Sequence, residues 1–192
     1  MKRYIKTAEG LTARQRASIA KKSTDTKELR RLSYDNADSV KLEVLKNPKT
    51  PEDVVNRLSK EFMDSDDSSI RRFIATYVND PDMLSKLAND EDKIVRCYVA
   101  ENPNTDADVL AQLADDKNWF VRQYVAENPS TDSDTLSQLA VDEDRFVRSS
   151  VAKNQNTDSE TLAQLATDDV DAVRNAAQSN NNYDPSILKI EE

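Results

Sequence analysis

Two rows of ionisable side chains recur at a constant interval and are the residues best placed by type and spacing to do chemistry. Both rows repeat every 26 residues, and each arginine follows an aspartate by six residues: Asp90, Asp116, Asp142, Asp168, Arg96, Arg122, Arg148 and Arg174. Regular carboxylates could bind Ca²⁺, and regular guanidinium groups could bind an acidic ligand. Because the two rows match, we favour a structural role in which carboxylates and guanidinium groups neutralise each other.

Catalytic, metal and cofactor sites are not predicted. The sequence has no histidine, one glycine and a single cysteine, Cys97, so a histidine base, a multi-cysteine metal site and a glycine-rich phosphate loop are all missing. Carboxylates are abundant, but acid–base catalysis needs two of them in different environments, which spacing does not reveal. We therefore expect no enzymatic activity, no metal and no cofactor.

The elements that carry these rows form a sequence repeat. Residues 110–132 read LAQLADDKNWFVRQYVAENPSTD, and residues 84–106 and 136–158 are close copies. In each copy two leucines three residues apart predict a short first helix, and the segment around the Val-Arg pair predicts a second. The lengths are roughly 10 and 8 residues, below those at which isolated helices are stable, so we expect the repeats to stack. The predicted core includes Leu139 and Tyr124.

The turns between the helices carry recurring capping residues. Thr105, Thr131 and Thr157 are predicted to open the first helices in a capping-box pattern. The repeated aspartates are predicted to accept hydrogen bonds from free N–H groups at the start of each second helix. Asn102, Asn128 and Asn154 are predicted to end the second helices in the left-handed conformation.

Repetition predicts an all-α, right-handed solenoid of about six 26-residue helix pairs with terminal caps. Residues 1–23 are predicted to be a basic cap with Thr12 as N-cap, residues 24–182 the repeat array, and residues 183–192 a half-repeat that starts another first helix. Four extra residues precede Ile70 and predict an acidic loop near 61–69 with Phe62 and Met63, which is either a contact point or a tolerated bulge.

The pattern LAxDxDxxVRxxVAxNPxTD resembles the leucine-rich repeat variant family, which is grouped with HEAT-like and armadillo-like helical repeats. The resemblance covers about residues 24–180. It implies that the aspartates and arginines form a hydrogen-bonded ladder between neighbouring repeats. Some members of the family carry a Cys-rich iron–sulfur segment, and this chain, with Cys97 alone, is similar to the family without that segment.

Charge is unevenly distributed and bears on possible partners. Residues 1–31 have a net charge of +7, whereas residues 32–192 have −16. An acidic body repels nucleic acid and attracts a basic protein surface. We expect no membrane partner and no direct nucleic-acid binding, except through the basic N-terminal segment. That segment is either an arm for nucleic acid or acidic membrane or, as we favour, a solvated cap helix. No membrane-spanning run is evident, and we expect a cytoplasmic monomer.

Partner-binding residues are expected where the repeats differ while their frame stays constant. Trp119 stands at a position where neighbouring repeats have polar residues, so it is either a binding hot spot or packs over the adjacent loop. The remaining candidates occupy varying positions of the second helices: Lys93, Cys97, Glu101, Gln123, Glu127, Ser149 and Lys153.

The function that we favour from sequence is a non-enzymatic protein-interaction module that binds a protein partner on its surface. The alternative is an acidic inhibitor or nucleic-acid mimic that occupies a basic groove of a nucleic-acid-binding protein. A HEAT-like nucleic-acid enzyme, such as a base glycosylase, is a third class and would need a basic groove lined with aromatic residues.

Overall fold

The computed structural model describes residues 10–189, which contain thirteen α-helices and no β-strand. Helix α1 precedes six helix pairs, so the all-α architecture of about six helix pairs is confirmed. The helices are α1 (Ala13–Lys22), α2 (Thr26–Leu32), α3 (Asp38–Leu45), α4 (Glu52–Phe62), α5 (Ser68–Tyr77), α6 (Pro81–Leu87), α7 (Lys93–Glu101), α8 (Ala107–Leu113), α9 (Trp119–Glu127), α10 (Ser133–Leu139), α11 (Arg145–Lys153), α12 (Ser159–Leu165) and α13 (Asp171–Gln178).

The helices group into two compact units, and the boundary falls inside α5, between residues 74 and 75. The division predicted from sequence, at residues 23 and 182, stays a prediction. Its terminal parts, residues 1–9 and 190–192, lie outside the described residues.

In the first unit, α1 packs against α3 and begins with a capping box. The hydroxyl of Thr12 accepts a hydrogen bond from the backbone N–H of Gln15 (3.3 Å), and the Gln15 side-chain oxygen accepts one from the N–H of Thr12 (2.8 Å). This confirms Thr12 as the N-cap. Ala20 is fully buried near the end of the helix, which places the core contact of α1 there.

The four extra residues of the second repeat lengthen α4 by one turn. Helix α4 has 11 residues where α8 has 7, and both begin three residues before the aligned Val55 and Leu110. The prediction of an acidic loop at 61–69 is therefore wrong, because only residues 63–67 connect α4 to α5. Phe62 lies four residues after the fully buried Leu58, on the same face of the helix, and is itself buried. Met63 is the half-buried C-cap.

The second unit contains the four most regular helix pairs. The second helices α7, α9, α11 and α13 pack side by side in this order, and the first helices pack against them. Their core consists of repeated leucines and valines, each at most 2% exposed: Leu110, Leu113, Leu136, Leu139, Leu162, Leu165, Val95, Val121, Val147 and Val173. Since each helix is only seven to nine residues long, its stability depends on this packing.

The first helices of the second unit have seven residues rather than about ten, and their N-cap is an aspartate, which in α8, α10 and α12 follows the predicted threonine. In α10 the carboxylate of Asp132 accepts a hydrogen bond from the N–H of Thr135 (2.8 Å). Thr131 is fully buried one residue earlier, and its hydroxyl donates to the carbonyl of Val125 (2.6 Å). Thr105 and Thr157 make the same contact, so the assignment of the threonines as helix caps is wrong. They close the turn that precedes the cap.

The N-caps of the second helices lie two residues after the repeated aspartates, and the helices begin one residue later still. In α9 the N-cap is Asn118, and Asp116 accepts a hydrogen bond from the N–H of this cap residue (2.8 Å). Asp92 and Asp144 are the corresponding caps of α7 and α11. The repeated aspartates are therefore not the caps of the second helices. They accept a hydrogen bond from the N–H of the cap residue and so order the turn before the helix.

The asparagines end the second helices, but not in the left-handed conformation. Asn102, Asn128 and Asn154 have φ near −70° and ψ between 123° and 136°. A following proline, as in Pro103 and Pro129, favours this extended backbone. The conformation also turns each side-chain amide toward the preceding repeat.

The predicted start of another first helix at residues 183–192 is a 3-10 helix (Ile187–Lys189) within the described part of the chain. The N–H of Ile187 bonds to the carbonyl of Asp184, three residues earlier (3.3 Å). This tighter winding leaves Ile187 half-buried and Leu188 43% exposed. Leu188 lies 15 residues after Val173, as Leu136 lies 15 residues after Val121, but it is exposed whereas Leu136 is buried.

Candidate interaction surface

The repeated arginines link neighbouring repeats of the second unit through the repeated aspartates. Arg96 donates from Nε and Nη2 to the carboxylate of Asp116 in the next repeat, at 2.6 and 3.1 Å, and from Nη1 to the carbonyl of Asp90 in its own repeat, at 2.7 Å. The same pattern joins Arg122 to Asp142 and Arg148 to Asp168, with Nε–Oδ2 distances of 2.6 and 2.7 Å. The two rows therefore lie against each other as an Arg–Asp ladder.

The last member of the ladder differs from the others. Arg174 donates to the carbonyl of Asp168 (2.6 Å), as the arginines before it do within their repeats, and its second contact is to Asp171 in its own helix. A comparable pair occurs in the first unit, where Arg16 donates from Nε to Asp35 at 2.6 Å.

Burial makes the ladder an internal feature. The side chains of Arg96 and Asp116 are each 8% exposed. Burial alone would raise the pKa of Asp116, but the Arg96 guanidinium and the N–H of Asn118 outweigh it and hold this pKa below its usual value. The hydrogen bond from Arg148 is the main reason that the pKa of Asp168 is lowered. Both carboxyls are therefore ionised near neutral pH and already bonded, which leaves the ladder little capacity for an anion or Ca²⁺.

A second ladder, made by asparagines, was not predicted. The side-chain amide of Asn128 is buried and donates to the carbonyls of Ala100 (2.6 Å) and Asn102 (3.0 Å) in the preceding repeat. Asn154 and Asn180 make the equivalent pairs of bonds one and two repeats further on. The 26-residue spacing of these asparagines indicated a repeated contact. From sequence, however, Asn128 and Asn154 were predicted only to end their helices.

Most of the predicted partner-binding residues lie on the second helices with their side chains at least partly accessible. Lys93, Glu101, Glu127 and Lys153 are exposed, and Gln123 and Ser149 are half-buried. Glu127 accepts hydrogen bonds from Gln123 (2.8 Å) and from Ser150 of the next helix (2.9 Å). Its carboxylate is therefore held in place between α9 and α11.

Cys97 is the candidate that the structure removes from the surface. Its side chain is 5% exposed, so it is not accessible to a partner as the sequence analysis had predicted. Burial is the main cause that raises the pKa of its thiol to about 11, and the nearby Asp116 carboxylate adds to the shift. Cys97 therefore packs inside the second unit as a protonated side chain.

An aromatic row crosses the N-terminal ends of α9 and α11. Trp119 stacks on Phe120 with ring centroids 3.8 Å apart, and its ring centroid lies 5.7 Å from that of Phe146 in the next repeat. Phe120 is 46% exposed and Phe146 is 48% exposed. The ring of Trp119 therefore packs against phenylalanines, and together the three residues form an apolar surface that we call the aromatic row.

The two phenylalanines of this row were missed by the sequence analysis. They share one repeat position with Ile94 and Ala172, just before the buried valine of each second helix. Aromatic residues at a position that also accepts alanine were the available signal, because a core position would not tolerate that change in size. The position is half-buried or exposed in all four helices.

Tyrosines and carboxylates continue the accessible face from the aromatic row toward the helix ends. Tyr124 lies four residues after Phe120, one turn along α9. It is half-buried, as Tyr98 of α7 is, so the prediction that Tyr124 fills the core is wrong. Partial burial is the main cause that raises the pKa of Tyr124, followed by the charges of Glu101 and Glu127. The face therefore combines aromatic rings with carboxylates.

Residues 10–189 contain no group of three or more acidic or cysteine side chains arranged to hold a metal ion. None of the helices in this range is both long and apolar enough to cross a membrane.

Comparison with known proteins supports the repeat architecture. The family model "Leucine rich repeat variant" matches residues 95–118 and 119–144, which confirms the resemblance over these two segments. No curated protein matches the chain. A solved structure described as a leucine-rich repeat variant with a novel repetitive protein structural motif aligns with 96% of this chain and 77% of its own, at 22% identity and a TM-score of 0.66.

A second solved structure, YibA of Escherichia coli, aligns with 88% of this chain and 73% of its own, at 21% identity and a TM-score of 0.53. Identities at this level establish a shared fold and leave function open. The chain thus has the fold of helical-repeat proteins, and over residues 95–144 it is similar to the leucine-rich repeat variant family.

Proposed function

We propose that this chain is a non-enzymatic protein-interaction scaffold in the cytoplasm, and that it binds a protein partner with a basic surface on the second helices α7, α9 and α11. The aromatic row is the observation that carries the proposal. Its two phenylalanines are about half exposed, although the same frame accepts alanine at residue 172. Exposed aromatic residues on a rigid frame are typical of protein-binding surfaces.

Charge supports a basic partner. Residues 75–189 contain ten Lys/Arg and 22 Asp/Glu, a net charge of −12. Each ladder arginine, Arg96, Arg122 and Arg148, is balanced by a buried aspartate of the next repeat, so the excess negative charge comes from the other carboxylates. A basic surface would be attracted over a distance of about 8 Å at physiological salt.

The test is chemical cross-linking of the immobilised protein in extract from its own source, followed by mass spectrometry at low and high salt. We expect one or a few proteins with basic surfaces to cross-link to α9 or α11, and their yield to fall in a Trp119→Ala variant. A Val141→Ser variant is the matched control, because Val141 is 69% exposed and lies outside the aromatic row. If no protein cross-links above the level of an unrelated acidic protein, the proposal fails.

The alternative, an acidic inhibitor or nucleic-acid mimic, is supported by exposed carboxylates near the ladder. Glu143 and Asp169 are 89% and 87% exposed at the same position of successive repeats. The regular aspartates themselves are bonded to arginines, so they do not form the free row of charge that a mimic would present. Displacement of duplex DNA from the captured partner would favour the mimic, and simultaneous binding of DNA would favour the scaffold.

A further inference from the structure

We infer that the aromatic row is a docking site for a peptide segment in which arginine or lysine alternates with apolar side chains. This inference rests on the proposed scaffold function and names the chemistry of the ligand. Such a segment would bind to a surface that contacts apolar side chains, makes a cation–π contact with an aromatic ring, and carries negative charge. Each of these three properties can be read from residues of α7, α9 and α11.

The apolar component comes from the geometry of the rings. Trp119 stacks on Phe120 of its own repeat and on Phe146 of the next, with an interplanar angle of 23° in each pair. The three rings therefore form one apolar cluster that spans two repeats. Since the phenylalanines remain about half exposed, an apolar side chain laid on them would remove ring surface from water.

The cationic component is already illustrated within the chain. The guanidinium of Arg145 lies 5.1 Å from the centroid of the Phe146 ring, within the usual range of a cation–π contact. A ring of this row thus accepts a guanidinium against it in an exposed setting. A partner arginine can use the same interaction on the part of the Phe120 ring that Trp119 leaves exposed, because this repeat has Trp119 at the position of Arg145 and so no cation of its own there.

The charge component comes from carboxylates further along the same helices. Glu101 and Glu127 end α7 and α9 and are exposed, two turns beyond the row. The carboxylate of Glu127 is oriented by Gln123 and Ser150. A segment that placed an apolar residue on Phe120 could therefore place a basic residue between these two carboxylates, which would fix its direction as well as its affinity.

The test uses a short synthetic peptide that alternates arginine, leucine and serine, and two matched versions in which either arginine is replaced by glutamate or leucine by serine. Trp119 is the only tryptophan, so its fluorescence reports directly on the row. We expect the arginine–leucine peptide to change this fluorescence saturably and both altered peptides to bind at least about tenfold more weakly. Equal binding of the glutamate version would overturn the inference.

Variants of the protein locate the site. Phe120→Ser should weaken binding by about 30-fold, the loss expected for a hot-spot residue, whereas Val141→Ser, a matched exposed apolar residue outside the row, should not change it. Glu101→Gln should weaken binding by a few fold and reduce its salt dependence, while Glu160→Gln on α12 serves as its control. Circular dichroism and urea unfolding show that each variant is folded.

The outcomes separate this inference from the proposed function. If a protein partner cross-links to the chain but Phe120→Ser leaves both its yield and the peptide affinity unchanged, the scaffold function stands and the docking site is wrong. If the fluorescence of Trp119 changes with protein concentration alone, the row binds a second copy of the chain, and the peptide inference is likewise overturned. If neither a protein nor the peptide binds, both proposals fail.

Discussion

Removal of Arg96 tests whether the Arg–Asp ladder holds neighbouring repeats together. Arg96→Met keeps the apolar stem of the side chain but removes the guanidinium, which makes two bonds to Asp116 and donates to the carbonyls of Asp90 and Glu91. The carboxylate of Asp116 would then be buried with only the N–H of Asn118 as a hydrogen-bond donor.

The expected loss follows from the burial of both partners. Each side chain is 8% exposed, so Arg96→Met leaves an uncompensated buried charge, which typically costs 3–5 kcal/mol. Because Asn118 still stabilises the carboxylate, we expect the lower end of this range, about 3 kcal/mol. The double variant Arg96→Met/Asp116→Leu removes both charges, and its free energy of unfolding should lie closer to that of the wild type.

The pH dependence gives the prediction a second, independent readout. The folded-state pKa of Asp116 is lowered, so its contribution to stability is complete above the unfolded pKa, about 3.9, and is lost as pH falls through the folded value. In Arg96→Met the main cause that lowers this pKa is absent. The difference in unfolding free energy between wild type and variant should therefore shrink as pH falls below about 4.

Urea unfolding monitored by circular dichroism between neutral and acidic pH measures both effects. Arg30→Met is a suitable control, because the Arg30–Asp53 pair is exposed and should contribute far less. A loss below about 1 kcal/mol for Arg96→Met would refute the view that the ladder is a buried structural brace. A difference that stays constant from neutral pH to pH 3 would show that the charge of Asp116 is not responsible.

Three further predictions concern the core, the asparagine ladder and the cysteine. Leu139→Ala should lower the free energy of unfolding by about 2–5 kcal/mol in urea titration, because Leu139 is 2% exposed. Asn128→Ala should cost about 1–3 kcal/mol in the same assay, since it leaves the buried carbonyls of Ala100 and Asn102 unpaired, whereas the exposed Ser130→Ala should cost much less. Cys97, with a thiol pKa of about 11, should react with iodoacetamide at pH 8 about 100-fold or more slowly than in the urea-unfolded chain, as followed by mass spectrometry.

The sequence by itself determined the repeat length, the helical class and the core. A leucine pair and a Val-Arg pair every 26 residues admit one arrangement of short amphipathic helices, because each hairpin can bury its apolar stripe only against the next. Leu110 and Val121 are accordingly buried. The same periodicity brought out the aspartates and arginines, since a residue repeated with the frame has the same surroundings in every copy.

The tertiary structure decided which groups meet across repeats. Arg96 bonds to a carboxylate twenty residues ahead and Asn128 to carbonyls 26 and 28 residues behind, distances along the chain that become contacts only after stacking. From the sequence of one repeat, both the asparagines and the threonines were predicted to cap helix ends. Asparagine and threonine can satisfy free backbone groups at the ends of an isolated helix, so a contact with a neighbouring repeat is not needed to explain them. Likewise, the exposure of Phe120 depends on the helix packed beside it, so no single repeat could show that aromatic residues would remain accessible to a partner.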